Sequence, residues 1–123
     1  MPSALQFTLY LVVMTGGLAC FFQAYRTRLV TPLHKRWGIA GTAISLGGIG
    51  VVLLATYAWG WRVEQRLPEV VLWHRRLALL SSALLVLTAL TGMLRIRIHT
   101  RLYVVFLPLY VASLLTAAIG YRP

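Results

Sequence analysis

Four long apolar runs, separated by short segments rich in arginine, make up nearly the whole chain. The first runs from Ala4 to Tyr25, the second from Pro32 to Trp61, the third from Pro68 to Met93 and the fourth from His99 to Tyr121. A helix needs about 20 mostly apolar residues to cross a bilayer, and each run is that long. In lipid the backbone must satisfy its own polar groups, so runs of this kind are helices. The pattern therefore predicts an all-α integral membrane protein, a single domain over residues 1–123 folded as a four-helix bundle. Punctuation agrees. Thr31-Pro32 and Pro68 are helix-opening signals, because proline is tolerated where a first turn has no partner for its N–H. Trp37 with Trp59 and Trp61 marks the two lipid interfaces of the second run. The very short link after Met93 makes the third and fourth helices antiparallel neighbours, and Pro108 is expected to kink the fourth.

Composition sharpens this picture. Apolar residues make up 59% of the chain and charged residues 11%, with a mean hydropathy of +0.78, whereas a soluble chain carries about 25% charged residues. The net charge of +10 would point to nucleic acid in a soluble protein. Here the basic residues cluster at the ends of the runs, where translocation and anionic headgroups favour them, and nucleic-acid binding is rejected. Arg26, Arg28, Lys35, Arg36, Arg95, Arg97 and Arg101 fall on one side. Arg62, Arg66, Arg75, Arg76 and Arg122 fall on the other, with both acidic residues, Glu64 and Glu69. That bias predicts cytoplasmic loops at 26–36 and 94–101 and both termini on the opposite face.

The first run has no basic n-region, so it reads as a span rather than a signal peptide, although Gly17-Leu18-Ala19-Cys20 faintly resembles a lipoprotein cleavage box. Cys20 is the only cysteine. Mid-membrane it acts as a small apolar residue, and one thiol excludes the disulfide-forming membrane enzymes, which need pairs.

Chemistry concentrates on three histidines. His34 heads a stripe at helical spacing, Gly38, Gly41, Ser45 and Gly48, that leaves one helix face almost without side-chain volume. His99 opens the fourth run and is followed on its face by Tyr103, Phe106 and Tyr110. His34 and His99 lie at similar depth on alternate helices, which can face each other across a bundle. Two such imidazoles can supply both axial ligands of a haem. The small stripe would then clear the ring faces, Tyr103 would wall them, and Lys35, Arg36, Arg95, Arg97 or Arg101 would meet the propionates. His74 opens the third run at the other face. Each feature also has a plainer reading. Histidines at helix ends are ordinary interfacial residues, a Gly and Ser stripe is a packing surface, and the aromatic residues serve as lipid or core contacts.

The segments Tyr25-Arg26-Thr27-Arg28, His34-Lys35-Arg36-Trp37-Gly38, Trp73-His74, Thr91-Gly92-Met93, Ile98-His99 and Ala118-Ile119-Gly120-Tyr121, with Met1-Pro2, resemble the cytochrome b561-like class. The likeness is nearest to a small four-helix family of unknown function in phototrophic bacteria. That resemblance implies a haem b between His34 and His99, in a bacterial inner or photosynthetic membrane. It implies a second haem between His74 and the start of the first helix, where this chain has Met1-Pro2 in place of His-Pro, so one haem is expected.

Other classes fit less well. No acidic or basic side chain lies in the membrane interior of a span, which argues against a proton-coupled exporter, and no nucleophile, base and acid come together for hydrolysis. The chain reads as an electron carrier or a subunit rather than a stand-alone enzyme. Its expected partners are the lipid bilayer and either other subunits of a membrane complex or further copies of itself, and a quinone site at the His34 or His74 end is compatible with the sequence. The rival reading is a cofactor-free accessory subunit of a photosynthetic or respiratory complex, which would use the small faces at Gly16, Gly17, Gly41, Ser45 and Gly48 for contact.

Overall fold

The computed structural model describes residues 4–121. Four α-helices follow in order: α1 (Ala4–Arg26), α2 (Thr31–Ala58), α3 (Pro68–Met93) and α4 (His99–Gly120). All four are long and apolar enough to cross a membrane. The expected start and end of α3 coincide with those observed. By contrast, α2 ends three residues short of Trp61, where Gly60 turns to φ 65° and the Trp61 N–H bonds back to the Ala55 carbonyl. Thr31 lies inside α2, behind a Val30 cap with no side-chain hydrogen bond. Helix α4 runs unbroken through Pro108, which is exposed on the outside of the bundle.

Short turns fold the chain into two hairpins, α1 with α2 and α3 with α4, and lighter contacts of α1 with α4 and of α2 with α3 close the ring. The α2–α3 connection is pinned to the end of α4, where the N–H groups of Arg66 and Leu67 both donate to the Gly120 carbonyl. Helices α2 and α4 run parallel on one diagonal, as shown by His34 opposite His99 and Ser45 opposite Tyr110.

The two hairpins share one register. Buried residues of α1 recur on α3 at a spacing of 64 positions: Phe7 and Val71, Gly17 and Ser81, Phe21 and Leu85, Ala24 and Thr88. Those of α2 recur on α4 at a spacing of 65: Gly41 and Phe106, Ser45 and Tyr110, Ala55 and Gly120. His34 and His99 obey the second spacing. The bundle thus has an internal two-fold plan that few shared residue identities betray.

Inside it, volume is complementary. Phe21 lies edge-on to Phe106 at 5.1 Å and to Tyr110 at 5.9 Å, and Met14 and Leu85 complete the cluster. Gly41 makes room for the Phe21 ring, since a Cβ there would lie 2.9 Å from it. Gly48 does the same for the Met14 sulfur. The single hydroxyl proton of Tyr110 goes to the Met14 carbonyl at 2.8 Å. Ser45 must therefore be the donor in its 2.8 Å bond to Tyr110. Gly17 is required beside them, because a Cβ would stand 2.4 Å from the Ser45 hydroxyl. Lipid is as apolar as the side chains, so packing and bonds such as these hold membrane helices together, each bond contributing about 0.6 kcal/mol on average.

Candidate functional site

His34 sits in the first turn of α2 and His99 is the first residue of α4, so both side chains reach the bundle end that carries the α1–α2 and α3–α4 turns. Their rings stand with centroids 6.0 Å apart and planes at 78°. Both are half-buried.

Each ring is held from the neighbouring helix of its own hairpin. His34 Nδ1 is 2.7 Å from the Ala24 carbonyl of α1, and His99 Nδ1 is 2.7 Å from the Thr88 carbonyl of α3. A carbonyl only accepts, so both Nδ1 atoms carry the proton and both Nε2 atoms keep a lone pair. This is the arrangement that orients and enriches an imidazole as a ligand. Packing adds a second restraint on His99: a Cβ at Gly92 would come within 2.8 Å of its ring. Beside it the Thr88 hydroxyl is buried with no hydrogen-bond partner.

Toward the core, Tyr103 closes the site. Its ring centroid is 6.5 Å from that of His99 and it stacks on Tyr25 at 6.1 Å and 7°, while its hydroxyl donates to the Phe21 carbonyl. The small stripe divides in two. Gly38 faces open space. Gly41 and Ser45 are taken up by Phe21 and Tyr110, so at those two positions the packing use is realised. Lys35, Arg36, Arg95, Arg97 and Arg101 are exposed around the same end, and Arg28 lies 4.2 Å over the Tyr25 ring.

His74 is brought to the opposite end. Its Nδ1 is 2.9 Å from the Ser113 carbonyl, so its Nε2 is also the free nitrogen. The ring it meets is that of Tyr121, at 5.7 Å and 86°, and the residue of α1 in its register is Tyr10. Met1 and Pro2, expected opposite His74, lie outside the described residues.

Among the described residues no three of His, Cys, Asp and Glu gather as a metal cluster. The Nε2 atoms of His34 and His99 are the two bare imidazole nitrogens at this end of the bundle. Sequence reasoning placed His34, His99 and Tyr103 together but assigned no role to Thr88, Gly92 or Ala24. The contributions of Thr88 and Ala24 are backbone carbonyls, which carry no side-chain signature. Compared with known families, curated proteins and solved structures, the chain matches none.

Proposed function

We propose that this chain is a b-type haem electron-transfer protein of the membrane, similar in plan to the cytochrome b561-like class, with one haem between His34 and His99. The observation that carries the reading is the pair of imidazoles with Nδ1 protons committed to Ala24 and Thr88 and Nε2 left bare. The donor chemistry fits. A haem asks the protein for only two axial nitrogens. His34 and His99 would hold the haem iron through their bare Nε2 atoms, and the two rings stand close together, with centroids 6.0 Å apart.

When bound, the haem would supply reversible one-electron chemistry. The protein's part is to hold both rings in one tautomer through the Ala24 and Thr88 carbonyls and to keep water out with Tyr103, Phe21 and Phe106. The exposed Lys35, Arg36, Arg95, Arg97 and Arg101 are the cations for propionates. They also favour a cytoplasmic placement of this end. His74 faces a tyrosine instead of a second histidine, which supports a single haem. Of the small faces that an accessory subunit would use, Gly17, Gly41, Ser45 and Gly48 are filled from within the chain, while Gly16 stays open.

A reduced-minus-oxidised visible spectrum of the detergent-purified protein tests this. A sharp b-type α band is expected, lost in His34→Ala and in His99→Ala with helical content retained, and kept in His74→Ala. Intact protein from its native membrane with no haem signal would leave the accessory-subunit role as the better account.

A further inference from the structure

Between the helices lies a partly open cavity of about 30 Å³, lined by Tyr10, Met14, Ser81, Ser82, Ser113 and Tyr110 among others. Half of its lining carries hydroxyls and half is apolar, with Ile49, Ala78, Leu85 and Leu114 beside Met14. Ser82 is satisfied by the Ala78 carbonyl at 2.6 Å, and Tyr110 retains one acceptor lone pair beyond its bonds to Ser45 and Met14. The hydroxyls of Tyr10, Ser81 and Ser113 make no hydrogen bond to another described residue, although Ser81 is 5% exposed. Three such groups converge on one space with no carboxylate near it, since Glu64 lies in the loop before α3 and Glu69 in its first turn.

Size and chemistry identify the occupant. A water needs roughly 10–15 Å³ and two to four polar partners, so the cavity has room for about two or three. An organic molecule is too large. A cation would need several oxygen ligands, with carboxylates among them in most sites. We propose that one or two ordered waters occupy this cavity and bridge the hydroxyls of Tyr10, Ser81 and Ser113 to Tyr110. A hydroxyl and water cluster then joins all four helices at mid-membrane, from Ser45 on α2 through Tyr110 and Ser113 on α4 to Tyr10 on α1 and Ser81 on α3. It spans the seam between the two hairpins, whose contacts are lighter than those within each hairpin. It also ends at Ser113, whose carbonyl holds His74. None of this depends on haem.

Hydroxyl-radical footprinting by pulsed X-ray irradiation of the purified protein, read by mass spectrometry, tests it, because radicals are generated from water where water is. Met14 is the reporter: it lines the cavity and is 6% exposed. Oxygen addition at Met14 and Tyr10 is expected in the unaltered chain. It is expected to be lost in Ser81→Leu, which fills the space, and reduced in the Ser81→Ala, Ser113→Ala double variant, which enlarges the space but removes the partners. Should Ser81→Leu unfold, seen as new labelling of the buried Phe106, the double alanine variant decides alone. Unlabelled Met14 in the folded chain, or labelling undiminished by the double substitution, overturns the proposal.

Discussion

The two hairpins are built on one plan and filled in opposite ways. Each places a histidine at the start of its second helix and bonds that ring to a carbonyl of its first, Ala24 in one and Thr88 in the other. Below the histidines, the diagonal pairs Gly38 and Tyr103, Gly41 and Phe106, and Ser45 and Tyr110 set a small residue on α2 against an aromatic one on α4. Position by position, α2 gives up the volume that α4 supplies, and Phe21 of α1 moves into the remainder. The histidines are the one level where both sides carry the same ring. A shared backbone plan thus sets the register, while unequal volumes at equivalent positions make the core and equal ones make the site.

The sharpest way to break this comparison is to empty the large side. Phe106 has no exposed surface, and truncating a buried aromatic residue to alanine costs about 3–5 kcal/mol. Phe106→Ala should lower stability by that order, read from helical content during denaturation in mixed micelles. The equivalent change on the small side, Gly41→Ala, should cost less, about 1–3 kcal/mol, by forcing the Phe21 ring from its seat. Equal losses at the two positions would mean that the complementarity does not hold the bundle.

A smaller change tests the site itself. Gly92 lies against His99, whereas the ring of His34 needs no such glycine on α1. Gly92→Ala should displace His99 from the Thr88 carbonyl and weaken haem retention by roughly 10- to 100-fold, the usual effect of losing a group that orients a ligand. The measurement is haem occupancy after competition with apo-myoglobin. Unchanged retention would show that the Thr88 bond suffices to orient the ring.

The long apolar runs made the four helices and most of their ends legible in the sequence, because lipid leaves the backbone no other choice. His34 and His99 were legible as a pair by depth alone. The stripe of small residues was ambiguous in sequence, since clearance for a flat ligand and close packing of a neighbour demand the same absence of side chain. Only the position of Phe21, an unremarkable residue of α1, decides Gly41. The internal two-fold plan was hidden for a related reason: complementary filling requires that equivalent positions differ. The carbonyls that set the tautomers belong to Ala24 and Thr88, and no side chain announces them.

The smallest effect lies in the turn of the second hairpin. Equivalent residues are 64 apart before the turns and 65 apart after them, so the α3–α4 link is one residue longer than the α1–α2 link. The extra residue is absorbed where Arg95 takes φ 55°, the only positive φ at a non-glycine position among the described residues. With Arg95 so placed, its N–H reaches the Gly92 carbonyl at 3.2 Å and that of Ile96 reaches Thr91 at 2.9 Å, closing the helix and delivering His99 to its seat. A left-handed conformation costs a side-chain-bearing residue roughly 1–2 kcal/mol, a cost glycine does not bear. Glycine gives some of that back by losing more backbone freedom on folding, about 0.5–1 kcal/mol relative to alanine. Removing the arginine also removes a cation from the negative end of α3, worth about 0.3–1 kcal/mol. Arg95→Gly alone would therefore mix opposing effects, and the informative quantity is the difference between Arg95→Gly and Arg95→Ala, which lack the same charge. Arg95→Gly should be the more stable of the two by up to about 1 kcal/mol. Identical denaturation midpoints would mean that the longer turn accommodates its extra residue without strain.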